Sequence, residues 1–105
     1  MNKEEFFKYH REFTNKILEV SKAKNADYTG VTDDPFANFK RVEALGICST
    51  EQGFLTRMSD KLARLSSFWQ KGELQVKDES VTDTLMDLCN YTILMAAYLE
   101  SKNGN

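Results

Sequence analysis

The stretch DESVTDTLMDLCNYTILMAAYL, residues 78–99, decides the fold, because it predicts a helix that is apolar on more than one side. One stripe recurs every three or four residues and comprises Val81, Leu85, Leu88, Thr92, Met95 and Leu99. The opposite side begins with acids and continues with Leu94, Ala97 and Tyr98. A helix of this kind is buried against more than one neighbour, so the sequence predicts a helical bundle.

Three further helices are predicted around this one. The first runs from Lys3 to Lys24, and its stripe comprises Phe6, His10, Phe13, Ile17 and Val20. Turn-forming residues cluster at positions 25–35, after which PFANFKRVEAL, residues 35–45, predicts a short helix capped by Asp34. Its apolar side contains Phe36, Phe39 and either Val42 or Leu45, and Gly46 ends it.

The third helix is expected to begin at Ser49 or Thr50 and to end at Gly72. Its apolar stripe comprises Phe54, Met58, Leu62, Leu65 and Trp69. The last helix is expected to begin at a capping Asp78 and to run to about Ser101. The predicted fold is therefore an all-α antiparallel helical bundle of three long helices and one short helix.

Composition limits the class of protein. The 105 residues predict a single domain, with a helical core at 3–101 and a frayed tail at 102–105. The net charge of −2 gives no general drive towards nucleic-acid backbones, and no run approaches the ~20 apolar residues of a membrane span. Two cysteines, Cys48 and Cys89, indicate free thiols in a reducing cytoplasm.

The acidic side of the last helix carries Glu79, Asp83 and Asp87, with Asn90 one turn further on. Carboxylates at this spacing repel one another, and the helix dipole explains only those in the first turn. A salt-bridge network with Arg57, Lys61 and Arg64 is one explanation. The other is a Mg²⁺ or Mn²⁺ site shared with Asp60 of the third helix, completed by phosphates that the basic residues bind.

The turn after the first helix carries a second candidate cluster. Tyr28 or Phe39 can stack on a base, and Asn38 can pair with a base edge. The alternative is that Tyr28, Phe36 and Phe39 close one end of the core. Asp27 and Asn38 are polar neighbours that packing alone explains less well.

Four blocks carry a resemblance to a known family. KNADYTG (24–30), DPFANF (34–39), RMSDKLARL (57–65) and VKDESVTDTLMDLCNYTILM (76–95) resemble, in this order, the nucleotide modification associated domain 1 family of small, mostly phage and prophage proteins. That family is similar to the all-α NTP pyrophosphatases of the MazG and dimeric dUTPase type. The resemblance implies a MazG-like bundle, a nucleotide ligand and a place in the cytoplasm of a bacterial host.

The pyrophosphatases bind Mg²⁺ through acids on facing helices and cleave a nucleoside triphosphate into monophosphate and pyrophosphate. Their pattern is EExxE on one helix and ExxD on the next, whereas this chain offers only Asp60 in SDKLAR, residues 59–64. The implied metal ligands are Asp60, Glu79, Asp83 and Asp87, of which Asp83 and Asp87 are also the candidate catalytic residues. The expected nucleotide- and phosphate-binding residues are Lys24, Asp27, Tyr28, Asn38, Arg57, Lys61, Arg64, Asn90 and Tyr91.

Three functions follow as hypotheses. The first is a Mg²⁺- or Mn²⁺-dependent phosphohydrolase acting on nucleoside or deoxynucleoside triphosphates or related nucleotides. The second is a protein that binds a nucleotide without turnover, as a sensor or sink for a nucleotide signal, which the reduced acidic set favours. The third is an oligomeric interaction module. Phe, Trp and Tyr make up 11 % of the chain, and a homodimer or homotetramer would bury the surplus under any of the three.

Overall fold

The structure, a computed structural model, describes residues 1–29, 32–72 and 80–103, the side chains of residues 26–29 excepted. Over these residues the chain forms four helices and no strand. They are α1 (Lys3–Thr29), α2 (Ala37–Ala44), α3 (Thr50–Lys71) and α4 (Val81–Lys102). The all-α fold of three long helices and one short helix is therefore confirmed, and the MazG-like form of the bundle stays a prediction.

Two contacts between side chains fix the relative direction of α3 and α4. Lys102, at the end of α4, lies 2.9 Å from Glu51 at the beginning of α3. Lys61, in the middle of α3, lies 3.1 Å from Asp87 in the first half of α4. The two helices are consequently antiparallel. Lys102, the first residue of the predicted tail, is the last helical residue of α4 and pairs with Glu51.

The predicted signals at the helix ends hold in most cases. Ser49 caps α3 in a capping box with Gln52, and Gly72 ends α3 at a φ of 78°. Gly46 follows α2 at a φ of 76°. Two predictions for the ends of α1 and α4 were wrong. The cap of α4 is Ser80 rather than Asp78, which lies outside the described residues, and α1 extends five residues past Lys24 to Thr29.

Asp34 does not cap α2 as predicted, because it lies two residues before the N-cap residue Phe36. Its carboxylate accepts a 2.9 Å hydrogen bond from the backbone N–H of Phe36 and a 2.8 Å bond from the ammonium of Lys40. The helical residues of α2 begin only at Ala37, so Asp34 orders the turn before the helix instead of capping it.

The core lies where α2, α3 and α4 meet. Phe54 is fully buried, its ring stacks on Phe39 at 4.0 Å, and Tyr98 and Phe36 meet edge-on at 5.6 Å. Gly53 allows α3 to pack closely on α2, because a Cβ at position 53 would lie 3.0 Å from Cγ2 of Val42. Burial of these rings supplies much of the drive for folding, since apolar area removed from water contributes roughly 25 cal/mol per Å².

The face that α4 buries differs from the predicted stripe. Thr84, Met86 and Tyr98 are buried, whereas Leu85 and Leu99 are 40 % and 39 % exposed. On α3, Leu62 and Trp69 are likewise exposed. The predicted continuity between the acidic side of α4 and a buried face is confirmed, because Asp87 and Asn90 are half-buried on the side that ends at Tyr98. Among the described residues, no helix has an apolar stretch long enough to cross a membrane.

Candidate functional site

Asp87 of α4 forms ion pairs with α1 and with α3. Its Oδ1 accepts a 2.6 Å hydrogen bond from Nζ of Lys24 in α1, and its Oδ2 lies 3.1 Å from Nζ of Lys61 in α3. The side chains of Asp87 and Lys61 are only 14 % and 13 % exposed. Among the described residues, two ammonium groups thus face one carboxylate.

A cavity of about 120 Å³ opens beside this carboxylate, and we call it the amide pocket. All four helices and the turn before α2 contribute to its wall. Three asparagine amides, two aromatic rings and two cations line it together with Asp87. The lining residues are Ser21, Lys24, Asn25, Pro35, Asn38, Phe39, Arg57, Asp87, Asn90, Tyr91 and Leu94.

The polar groups of the amide pocket have unused bonding capacity. Arg57 is exposed and makes no ion pair or hydrogen bond with a described residue. The half-buried amides of Asn38 and Asn90 likewise have no hydrogen-bond partner in the described part of the chain. Each amide can donate and accept, and a guanidinium offers five donors. The pocket can therefore bind an anion and a ring with mixed donors and acceptors.

The two rings of the pocket differ in their availability. Phe39 is buried in the core with its face on Phe54, so the packing alternative is confirmed for Phe39 and for Phe36. Tyr91 is half-buried and meets Phe39 edge-on at 6.0 Å. Tyr91 is consequently the ring in this pocket with room to contact a ligand, and Phe39 forms a fixed wall.

A second, more open cavity of about 390 Å³ adjoins the first, and we call it the lysine groove. The two cavities share Lys24 and Asp87. Three cations and two carboxylates line the groove, with Val20 and Met86 as its apolar residues. The charged residues are Lys16, Lys24, Lys61, Asp83 and Asp87. A ligand that extends beyond the amide pocket past Asp87 would enter this groove.

Asp83 has a structural task at the beginning of α4. Its Oδ2 accepts a 3.2 Å hydrogen bond from the backbone N–H of Ser80, while Oγ of Ser80 accepts a 3.0 Å bond from the N–H of Asp83. A hydrogen bond from the Ser80 side chain, followed by the one from the backbone N–H of Ser80, holds the pKa of Asp83 below its ordinary value, with smaller Coulombic contributions from Lys16 and Lys24. The helix dipole was expected to favour an acid in the first turn of α4, and the structure shows that Asp83 there forms a capping box with Ser80.

The fit of the described residues to Mg²⁺ rests on two carboxylates. Asp83 and Asp87 line the same groove, but both oxygens of Asp87 already face lysines and Asp60 lines neither cavity. Within residues 1–29, 32–72 and 80–103, no group of three His, Cys, Asp or Glu side chains converges. Mg²⁺ is often held by one or two carboxylates with waters and substrate phosphates, so a site of that kind fits here only if a lysine moves off Asp87.

The structure brings together most of the predicted site residues whose side chains it describes. Six of them line the amide pocket, namely Lys24, Asn38, Arg57, Asp87, Asn90 and Tyr91, and the lysine groove adds Lys61 and Asp83. Asp60 and Arg64 line neither cavity. Glu79 and the side chains of Asp27 and Tyr28 lie outside the described residues.

The salt-bridge alternative is confirmed in part. Lys61 pairs with Asp87 as that alternative predicted, whereas Arg57 makes no ion pair with a described residue. The shorter of the two described ion pairs of Asp87 is the one with Lys24, which had been predicted only as a residue that binds the nucleotide. Lys16 was missed altogether, because it lies on the polar side of α1 and only the packing of α1 on α4 brings it to the groove.

No protein-family model, no curated protein and no solved structure matches this chain.

Proposed function

We propose that this chain binds a nucleotide, with the base or sugar in the amide pocket and the phosphates at its cationic edge. The observation that carries the proposal is the convergence of Arg57, Lys24, Asn38, Asn90 and Tyr91 from four helices on one cavity. Arginine and lysine are the residues that bind phosphate oxygens, and an aromatic ring beside free amides suits a base.

Charge supports an anionic ligand. The amide pocket contains two cations, Lys24 and Arg57, against the single carboxylate Asp87. Arg57 is exposed and has no ion pair with a described residue, so a phosphate would not have to displace any described partner from it. Charge-assisted hydrogen bonds of this kind contribute about 1.5–3 kcal/mol each.

The resemblance to the nucleotide modification associated domain 1 family points in the same direction. Each of its four sequence blocks sends a side chain into the amide pocket: Lys24, Asn38, Arg57 and then Asp87 with Asn90. If the family shares a ligand site, its sequence blocks are expected to line one cavity although they lie far apart in the sequence. We therefore keep the MazG-like bundle, a phage origin and action in a bacterial cytoplasm as parts of the proposal.

A second candidate function is Mg²⁺- or Mn²⁺-dependent hydrolysis of a nucleoside triphosphate. The observation that favours it is that Asp83 and Asp87 line one groove together with Lys61. These two carboxylates would hold the metal, with Asp60 and Glu79 as further predicted ligands. The metal would neutralise charge on the phosphates. On the side of the protein, Lys61 would neutralise phosphate oxygens from the same groove.

The test begins with a panel of ribo- and deoxyribonucleoside mono-, di- and triphosphates in EDTA, Mg²⁺ or Mn²⁺. Binding is measured by isothermal titration calorimetry, and products are separated by chromatography. The Arg57→Gln variant should weaken binding about tenfold, as expected for the loss of one charge-assisted hydrogen bond. Arg11→Gln, which removes an exposed arginine outside both cavities, is the matched control and should bind normally. Equal affinities of the two variants would contradict the proposed site.

The Asp87→Asn variant separates binding from hydrolysis. Without metal, the loss of a negative charge beside the phosphates should tighten nucleotide binding by about 1 kcal/mol. If the chain is a hydrolase instead, a metal-dependent monophosphate product will form with the wild-type chain and disappear with Asp87→Asn. Tighter binding without a product supports the binding protein, and a product that is lost supports the enzyme.

We also propose that the chain associates with a second copy of itself. Residues 1–12 are exposed throughout, and the rings of Phe6 and Tyr9 contact only residues of α1 itself among the described ring pairs. An apolar groove of about 550 Å³, whose lining includes Phe6, Tyr9, Ile17, Leu88 and Ile93, runs between α1 and α4. Because Phe6 and Tyr9 of α1 line the same groove as Leu88 and Ile93 of α4, a two-fold axis at this groove would cover both copies with the same contact.

A further inference from the structure

The lysine groove contains one cation, Lys16, that forms no ion pair within the described structure. Lys16 is exposed and makes no ion pair or hydrogen bond with a described residue. It lies about two turns before Lys24 on the same face of α1, because Lys16, Val20 and Lys24 are spaced by four residues. Lys16 lies outside residues 24–95, over which the family resemblance extends.

The carboxylates of the groove leave Lys16 largely uncompensated. Asp87 is held by Lys24 and Lys61, and Asp83 is held by the backbone N–H of Ser80. Lys16 contributes Coulombic attraction to Asp83, after the larger effect of the Ser80 hydrogen bonds. Among the described residues that line the groove, three lysines stand against two aspartates, so its net charge is +1.

The geometry of α1 sets a length for the anion that the groove would hold. Lys16 and Lys24 are eight residues apart, which corresponds to about 12 Å along a helix axis. A single phosphate at the edge of the amide pocket would lie beside Lys24, about two helical turns from the backbone of Lys16. A chain of phosphates that begins beside Lys24 and Asp87 would run along the groove towards Lys16.

We propose that Lys16 determines specificity for the number of phosphates, by binding the terminal phosphate of a polyphosphate chain in the lysine groove. This inference rests on the proposed nucleotide site, whose amide pocket supplies the other end of the ligand. The ligand class it selects is the nucleoside polyphosphate over the monophosphate. Lys24 and Lys61 then bind the inner phosphates while they remain close to Asp87.

The experiment compares Lys16→Gln with Lys8→Gln by calorimetric titration in EDTA. Lys8 is also an exposed lysine of α1 but lines neither cavity of the site, so Lys8→Gln is the matched control. The probes are ATP, AMP, inorganic tripolyphosphate and orthophosphate. Lys16→Gln should weaken ATP and tripolyphosphate about tenfold, which is the usual effect of one charge-assisted hydrogen bond, and should leave AMP and orthophosphate unchanged.

The outcomes separate this inference from the proposed function. If ATP and AMP bind in an Arg57-dependent way but Lys16→Gln weakens both equally or neither, the role of Lys16 is wrong and the nucleotide site stands. If tripolyphosphate binds in a Lys16-dependent way and no nucleotide of the panel binds better than tripolyphosphate, the groove is an anion site and the nucleotide function is wrong. Circular dichroism of both variants checks that the helical content is unchanged.

Discussion

Lys24 and Asp87 are 63 residues apart in the sequence, and their side chains meet at 2.6 Å. The same carboxylate holds Lys61 of α3 at 3.1 Å, so Asp87 connects α1 to the antiparallel pair of α3 and α4. Because the described part of α1 packs on α2 and α4 rather than on α3, this cluster links the first helix to α3 through Asp87. It also forms the boundary between the amide pocket and the lysine groove.

Replacement of Asp87 by Asn should lower the free energy of unfolding by about 1–3 kcal/mol. The reason is that Lys24 and the largely buried Lys61 would each lose a carboxylate partner. Urea denaturation followed by circular dichroism at neutral pH measures this loss. Glu100→Gln removes an exposed carboxylate from the same helix and should change the stability by less than about 0.5 kcal/mol. Equal stabilities of the two variants would show that the cluster contributes nothing.

The Ser80→Ala variant should destabilise the fold by about 1 kcal/mol, the usual effect of losing a helix cap. Ser80 takes part in both reciprocal hydrogen bonds with Asp83, as an acceptor through Oγ and as a donor through its backbone N–H. The substitution removes the Oγ acceptor. Thermal and urea denaturation give the change in stability. Ser66→Ala, at an exposed position inside α3, serves as the comparison, and it should be neutral or slightly stabilising because Ala is the better helix former. A neutral Ser80→Ala would mean that the capping box is not formed in solution.

Asp34 predicts a specific loss of stability in acid. The hydrogen bond from Lys40, followed by the one from the backbone N–H of Phe36, holds the pKa of Asp34 below its ordinary value of 3.8. A carboxylate whose pKa is lowered by folding stabilises the protein above its unfolded pKa, and this contribution is lost as the pH falls through the folded pKa.

Asp34→Asn should therefore be less stable than the wild-type chain at pH 6, and the two should converge as the pH falls below the ordinary pKa of Asp34. Urea midpoints measured at intervals of pH follow this convergence. Asp33→Asn replaces the exposed neighbouring carboxylate and should not show it. A constant difference between wild type and Asp34→Asn at all pH values would rule out the proposed linkage.

Sedimentation velocity tests the association through α1. The wild-type chain should sediment as a dimer or a larger homo-oligomer, and Phe6→Ser combined with Ile93→Ser should shift it to the monomer. Both side chains are about half exposed, at 47 % and 53 %, so the variant should keep its helical content. Leu45→Ser removes an apolar side chain that is 67 % exposed and lies outside the apolar groove, and it should leave the oligomer intact. A wild-type monomer at high protein concentration would contradict the proposal.

The ends of α3, which local chemistry determines, were predicted correctly. Ser49 caps α3 and Gly72 ends it because their roles depend on a few neighbouring residues. The buried face of α4 was predicted wrongly, because α4 is apolar nearly all round and the sequence does not show which side its neighbours cover. Leu85 and Leu99 are therefore partly exposed, and Thr84 is buried in their place.

The same distinction between local chemistry and tertiary packing applies to the candidate site. The residue types were visible in the sequence, since Asp87 and Lys61 stand in acidic and basic stripes on their helices. Their pairing with each other was one of the stated alternatives, but the pairing with Lys24 depends on how α1 crosses α4. The cation at Lys16 has no neighbouring motif, and only tertiary packing places it beside Asp83.

The stacked pair of Phe39 and Phe54 has a consequence for how this protein can change over generations. Phe39 belongs to the core through its 4.0 Å contact with Phe54, and it is also a wall of the amide pocket. Any mutation of that wall would alter the folding energy together with the shape of the pocket, since removal of a buried Phe costs roughly 3–5 kcal/mol. Divergence in ligand preference is therefore expected at Asn38, Arg57 and Asn90, where a substitution leaves the aromatic core in place.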